Sequence, residues 1–176
     1  MNQRNILINR APVLTLWASI VAERLGFDGD EALSLGKALA GLTAQSKGRR
    51  LGIYKPVPEE IKKARERKRG EEFFVALCGR SIPAINTEDG VRAVTKGRPV
   101  DPEGVERYLE SKFGDALEAV RSTMRELAKA FRSADLQENA FHLYEKCRPA
   151  IPEGVAGWGA KGKLDLARIR SLASES

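Results

Sequence analysis

The sequence predicts an α+β fold, mainly helical, with a small antiparallel sheet placed between helices. Three observations carry that expectation. Apolar residues recur at helical spacing in the first quarter of the chain and again from residue 101 onward. Short β-prone runs separated by turn residues occupy residues 73–96. Helix punctuation, Asp or Pro before a periodic run and Gly after it, brackets most of these segments. At 176 residues the chain fits one domain able to bury a real core, divisible into a helical pair over 1–57, a basic helix plus small sheet over 58–100 and a helical part over 101–176.

The first helix is expected from Pro12 to Leu25. Leu14, Trp17, Ala18, Val21 and Leu25 form one stripe, Pro12 suits the first turn, and Gly26 ends the run. The same stretch has an apolar centre flanked by Arg4 and Arg10, like a signal peptide. It is too short to span a bilayer and no small-x-small site follows, so a core helix and a cytoplasmic protein are expected. A second helix starts behind Asp28 or Asp30 and carries Leu33, Leu35, Leu39, Ala40 and Leu42. It is apolar around most of its circumference, which predicts a buried position. The acids Asp28, Asp30 and Glu31 read as helix capping and dipole complement rather than as a metal site.

Residues 46–70 follow, "SKGRRLGIYKPVPEEIKKARERKRG", broken by Pro56 and Pro58; from Pro58 they read as an exposed helix. Two or three antiparallel strands are expected between Phe73 and Lys96, with a hairpin turn at Thr87–Gly90. Pro83 predicts an edge position or a bulge for its strand. Asp101 caps and Pro102 opens a long amphipathic segment. Its stripe is Val105, Leu109, Phe113, Leu117, Val120, Met124, Leu127 and Phe131, with Gly114 as the one expected break. A stripe this regular serves either the core or a homodimer seam. A helix over Ala134–Cys147, a glycine-rich loop containing "GWGAKGK" and a short helix using Leu166, Ile169 and Leu172 complete the chain.

Charge is the most informative property. The chain has 30 Lys and Arg against 24 Asp and Glu, a formal +6. Ten of those cations and three of the acids lie in 46–70, which leaves 20 against 21 elsewhere. The whole positive excess is therefore confined to 25 consecutive residues, the local concentration that attraction to phosphate requires. Part of it is balanced internally by the i,i+4 pairs Glu59–Lys63 and Lys62–Glu66. Tyr54 is placed to stack on an exposed base.

Catalytic chemistry has no comparable signal. The single histidine, His142, lies on a helix, and Cys147 five residues on points about 140° away around its axis. One His and two Cys cannot build a tetrahedral zinc site from those residue types alone, and two cysteines make no disulfide framework. No cofactor and no metal is expected. "GWGAKG" spells a dinucleotide fingerprint without the βαβ context that gives it meaning. A weaker anion-binding reading remains for Lys161 and Lys163 before a helix capped by Asp165. Finally, Ala22–Phe27 with the turn after it resembles the first half of a helix-turn-helix unit. The helix that follows offers Ala, Leu and Gly where a recognition helix needs polar side chains, so the resemblance implies a structural unit only.

The expectation is a non-enzymatic protein that contacts DNA or RNA backbone without base specificity. Its phosphate-contacting residues would be Lys47, Arg49, Arg50, Lys55, Lys62, Arg65, Arg67, Lys68, Arg69, Lys161 and Lys163. The rival reading is a protein–protein or structural module, homodimeric through Val105–Phe131, with the basic helix merely solvated. A membrane partner is not expected.

Overall fold

A computed structural model describes residues 6–45, 71–150 and 161–174. The chain is mixed α+β and mainly helical, with two small antiparallel sheets. The elements are β1 (Ile6–Asn9), α1 (Arg10–Leu25), α2 (Gly29–Gln45), β2 (Glu72–Leu77), β3 (Arg80–Thr87), β4 (Gly90–Thr95) and β5 (Arg98–Pro99). They continue as α3 (Pro102–Phe113), α4 (Leu117–Lys129), α5 (Ser133–Cys147), β6 (Lys161–Leu164) and α6 (Leu166–Ser174).

Helix α1 is the centre of the molecule. Every residue from Pro12 to Ala22 is buried, not only the predicted stripe, because the segment is apolar or small on all sides and packs against α2, α3, α4 and α5. Two hydroxyls within it, Thr15 and Ser19, are satisfied by carbonyls of their own helix, Ala11 O and Leu16 O. Trp17 donates its indole N–H to Ala140 O at 2.8 Å, tying α1 to α5. Gly26 ends α1 with φ +117°, the left-handed conformation expected of a helix-terminating glycine. Helices α1 and α2 approach closely at Gly36. A β-carbon there would lie 2.6 Å from Thr15 O and 2.9 Å from Ser19 N, so only glycine fits the crossing.

Of the two acids proposed to start α2, Asp28 is the cap. Its Oδ1 accepts from Glu31 N at 2.8 Å, while Glu31 Oε1 accepts from Asp28 N at 3.0 Å, a reciprocal capping box. Glu31 is fully buried and its second oxygen, Oε2, accepts from Val91 N at 2.9 Å. One turn along, Ser34 Oγ accepts from Ala93 N and donates to Val100 O, both at 2.9 Å. Side chains of α2 thus take the place of a neighbouring strand along β4. Gly90 belongs to the same junction: at φ +117° it leaves room for Glu31 Oε2, which a β-carbon would approach to 2.9 Å.

The larger sheet has the order β2-β3-β4-β5. Its hairpin turns at Thr87–Gly90 as expected. Phe73, Val75, Leu77, Ile82, Ala84, Val91 and Ala93 share the core face. Pro83 lies on a strand with neighbours on both sides rather than at the sheet's edge. It is tolerated because β3 meets β4 only from Ala84 onward, so at Pro83 the ladder has β2 alone beside it.

The long amphipathic segment is two helices. Gly114, at φ +56°, opens a 3-10 turn over Gly114–Ala116 that separates α3 from α4. Asp101 caps α3 through Glu103 N at 3.2 Å, with Pro102 in the first turn. Val105, Leu109, Phe113, Leu117, Val120, Met124 and Leu127 are buried in the chain's own core and Phe131 packs half-buried against it. Ser133 does not cap α5; its hydroxyl bonds to Arg24 instead. No described helix is long and apolar enough to cross a membrane.

Candidate nucleic-acid interface

Nine of the eleven residues named from sequence as phosphate contacts, Lys47 to Arg69, lie outside the described residues. Lys161 and Lys163 are described, and their setting differs from the expectation. They stand on a strand, β6, not in a loop leading into a helix. The strand was missed because its sequence, Lys-Gly-Lys-Leu, has low β-propensity. It forms because β1 offers a complementary alternation. Ile6 and Ile8 face Leu164 and Gly162 on the inner side, while Leu7 and Asn9 face Lys163 and Lys161 on the outer side. Leu7 is left 63% exposed between these polar groups.

A third piece of backbone lies along this ribbon. After α5, Arg148 is extended at φ −61°, ψ 155°, the conformation that the following Pro149 imposes. Ala150 then pairs with Lys163 through N···O contacts of 3.0 and 3.2 Å. Arg10, the first residue of α1, donates from Nε to Pro149 O at 3.2 Å. Arg168 of α6 donates from Nε to Lys146 O at 3.0 Å, where the end of α5 presents free carbonyls.

The fold therefore brings together Arg10, Lys146, Arg148, Lys161, Lys163 and Arg168, drawn from four separate stretches of chain. No ion pair engages any of the six among the described residues. Arg10 and Arg148 sense each other as like charges, and burial first and then Arg148 pull the Arg10 pKa below its ordinary value. Beside them the Tyr144 hydroxyl is buried without a hydrogen-bond partner. Burial drives its pKa upward, partly opposed by Arg148 and Arg10. The Cys147 thiol is pushed up to about 12 by burial, with Arg168 opposing.

Like charges that act on one another, as Arg148 does on Arg10, are unfavourable by themselves and are relieved by a bound anion. Sequence reasoning missed Arg10, Lys146, Arg148 and Arg168 because they are far apart along the chain, and only the fold lays their backbone segments against one another. The one available signal was the placement of Lys146 and Arg148 at the end of a helix, where cations complement the dipole. His142 is exposed on α5, and no group of three or more His, Cys, Asp or Glu is placed to hold a metal among the described residues. Comparison with protein-family models, with curated proteins and with solved structures finds no match to this chain.

Proposed function

We propose that the protein binds the phosphate backbone of DNA or RNA without base specificity. The observation that carries this reading is the confinement of the whole positive excess to residues 46–70. The six cations around β6 and the end of α5, none in an ion pair among the described residues, support it, because they offer a second, cationic surface for phosphate that includes Lys161 and Lys163. A cytoplasmic location belongs to the same proposal, and the two free, buried thiols Cys78 and Cys147 are compatible with a reducing compartment. The homodimer reading has no such support, since the stripe it relied on faces the chain's own core.

The test is binding of a generic duplex and a generic RNA strand, followed by fluorescence anisotropy across a salt series. Log affinity is expected to fall linearly with log salt, by about 0.9 per duplex phosphate contacted. Replacing Arg65, Arg67, Lys68 and Arg69 with Ala should give a shallower slope. Absence of binding at about 50 mM salt in the micromolar range would overturn the proposal.

A further inference from the structure

Helices α1 and α5 lie antiparallel, and three side-chain hydrogen bonds fix how they face each other. Arg24 reaches Ser133 at one end, Trp17 reaches Ala140 O midway, and Arg10 reaches Pro149 O at the other. This register sets Tyr144 level with the start of α1. Tyr144 is 1% exposed, and its hydroxyl has no hydrogen-bond partner among the described residues. A phenol so far removed from water ordinarily has a partner for its O–H. Its isolation is unexplained by the packing of the two helices.

The charge around that hydroxyl points one way. Burial drives the phenol pKa upward, Arg148 and then Arg10 oppose the rise, and Arg148 also acts on Arg10, so the three groups share one small region. Arg10 uses Nε to hold Pro149 O. Its Nη atoms and the whole Arg148 guanidinium have no hydrogen bond or ion pair among the described residues. Helix α1 begins at the same place with no side-chain cap and no acid in its first turn, which leaves its positive end unmatched. The negative end of α5 is met by Arg168 at Lys146 O. Glu145, exposed on α5, acts against these cations but forms no ion pair with them among the described residues.

We propose that Tyr144, Arg10 and Arg148 form a site for a phosphate monoester group, carried on the end of a nucleic-acid strand or on a small molecule. Two guanidinium groups and one hydroxyl supply donors for the three terminal oxygens of a monoester. A diester within a strand has only two such oxygens, and the sugars on either side keep it from a hydroxyl set below the surface. The monoester also carries the larger negative charge. Because the hydroxyl is closed to solvent, a ligand oxygen reaches it as a neighbouring side chain gives way. Arg148, half-buried and without a hydrogen bond to hold its side chain, is free to do so. The strand-end source rests on the nucleic-acid reading, whereas the small-molecule source does not.

The experiment has two arms, both on the full chain. Inorganic phosphate is titrated calorimetrically, and a short oligonucleotide with a terminal phosphate is compared by anisotropy with the same strand ending in hydroxyls. Heat from inorganic phosphate, or at least threefold tighter binding of the phosphorylated strand, is expected. The first alone identifies a small-molecule source even if no strand binds, and the second identifies a strand end. Arg148→Gln and Tyr144→Phe should each weaken whichever binding is seen at least threefold. Tyr144→Phe should melt no lower than the parent, since the atom it removes has no partner to lose. Equal binding of the two strands together with no heat from inorganic phosphate would overturn this site while leaving backbone binding through residues 46–70 intact. Binding undiminished in either variant, or a lower melting temperature for Tyr144→Phe, would overturn it as well.

Discussion

The junction between α2 and β4 and the ribbon formed by β1 and β6 are both sheet margins bordered by helix ends, yet their polar side chains do opposite things. At the first, Glu31 and Ser34 are buried and their oxygens are matched to named partners, Asp28 N, Val91 N, Ala93 N and Val100 O. At the second, six cations stand without an ion pair among the described residues. Polar groups matched within the chain are part of the fold's architecture, because buried backbone donors must be satisfied somewhere. Charges left unmatched at a surface add little to folding and remain free for a partner. The difference is measurable, since the first set should govern stability and the second should not.

The largest effect is expected from Glu31→Ala. It removes the acceptor of two backbone donors, Asp28 N, whose bond is half of the capping box, and Val91 N. At about 1–3 kcal/mol for each buried donor left without a partner, the loss should reach about 3–5 kcal/mol in urea unfolding. A cost under about 1 kcal/mol would mean that β4 does not depend on α2, and the contrast between the two margins would collapse.

That junction also shows where sequence legibility ends. Asp28 and Glu31 at their spacing were readable as helix-start residues, because capping is decided within one turn. That Glu31 would reach Val91, sixty positions away, was not, since nothing local encodes which strand a helix will lie beside. The same divide runs through the rest of the molecule. Helices with long stripes, the Thr87–Gly90 hairpin and the break at Gly114 were legible from neighbours in sequence. Strand β6 was not, because Lys161 to Leu164 becomes a strand only when β1 pairs with it. The total burial of α1 and the cation cluster were likewise products of tertiary packing. For the interface, Lys161 and Lys163 were named from sequence, whereas Arg10 and Arg148 could be added only once Pro149 was seen against the start of α1.

Alkaline pH probes the buried thiols and the buried phenol. Cys78, Cys147 and Tyr144 are all buried, and burial raises each pKa, that of Cys147 to about 12 from an ordinary value of 9.0. In the unfolded chain the thiols lose protons near pH 9 while the native state keeps them. The unfolded state then binds fewer protons, so stability falls as pH rises. The contribution is complete below pH 9 and is lost progressively as pH climbs toward about 12. Two thiols lower stability by roughly 2–3 kcal/mol between pH 8 and 10. Thermal melts over that interval should show the decline, and Cys147→Ala should remove about half of it. A melting temperature flat from pH 8 to 10 would mean that the thiols are accessible.

Ser34→Ala belongs to the first margin but costs less than Glu31→Ala. Ala93 N loses one acceptor and Val100 O loses one donor, with no helix cap involved. About 1–3 kcal/mol is expected from urea unfolding. A loss equal to that of Glu31→Ala would show that capping adds nothing to the larger effect.

The smallest effect on stability is the most informative about the second margin. Lys161 and Lys163 are exposed on the outer side of β6, have no ion pair among the described residues, and project away from the buried Gly162 and Leu164. Replacing both with Ala should leave the melting temperature within about 2 °C of the parent, the ordinary consequence of surface substitution. If they contact phosphate, the same double variant should reduce the salt slope of nucleic-acid binding by up to about 2. An unchanged melting temperature accompanied by weaker binding fits the phosphate reading. The reverse pattern, a destabilised protein with an unchanged salt slope, would assign the two lysines to the ribbon's own structure and leave residues 46–70 as the sole basis for the proposed interface.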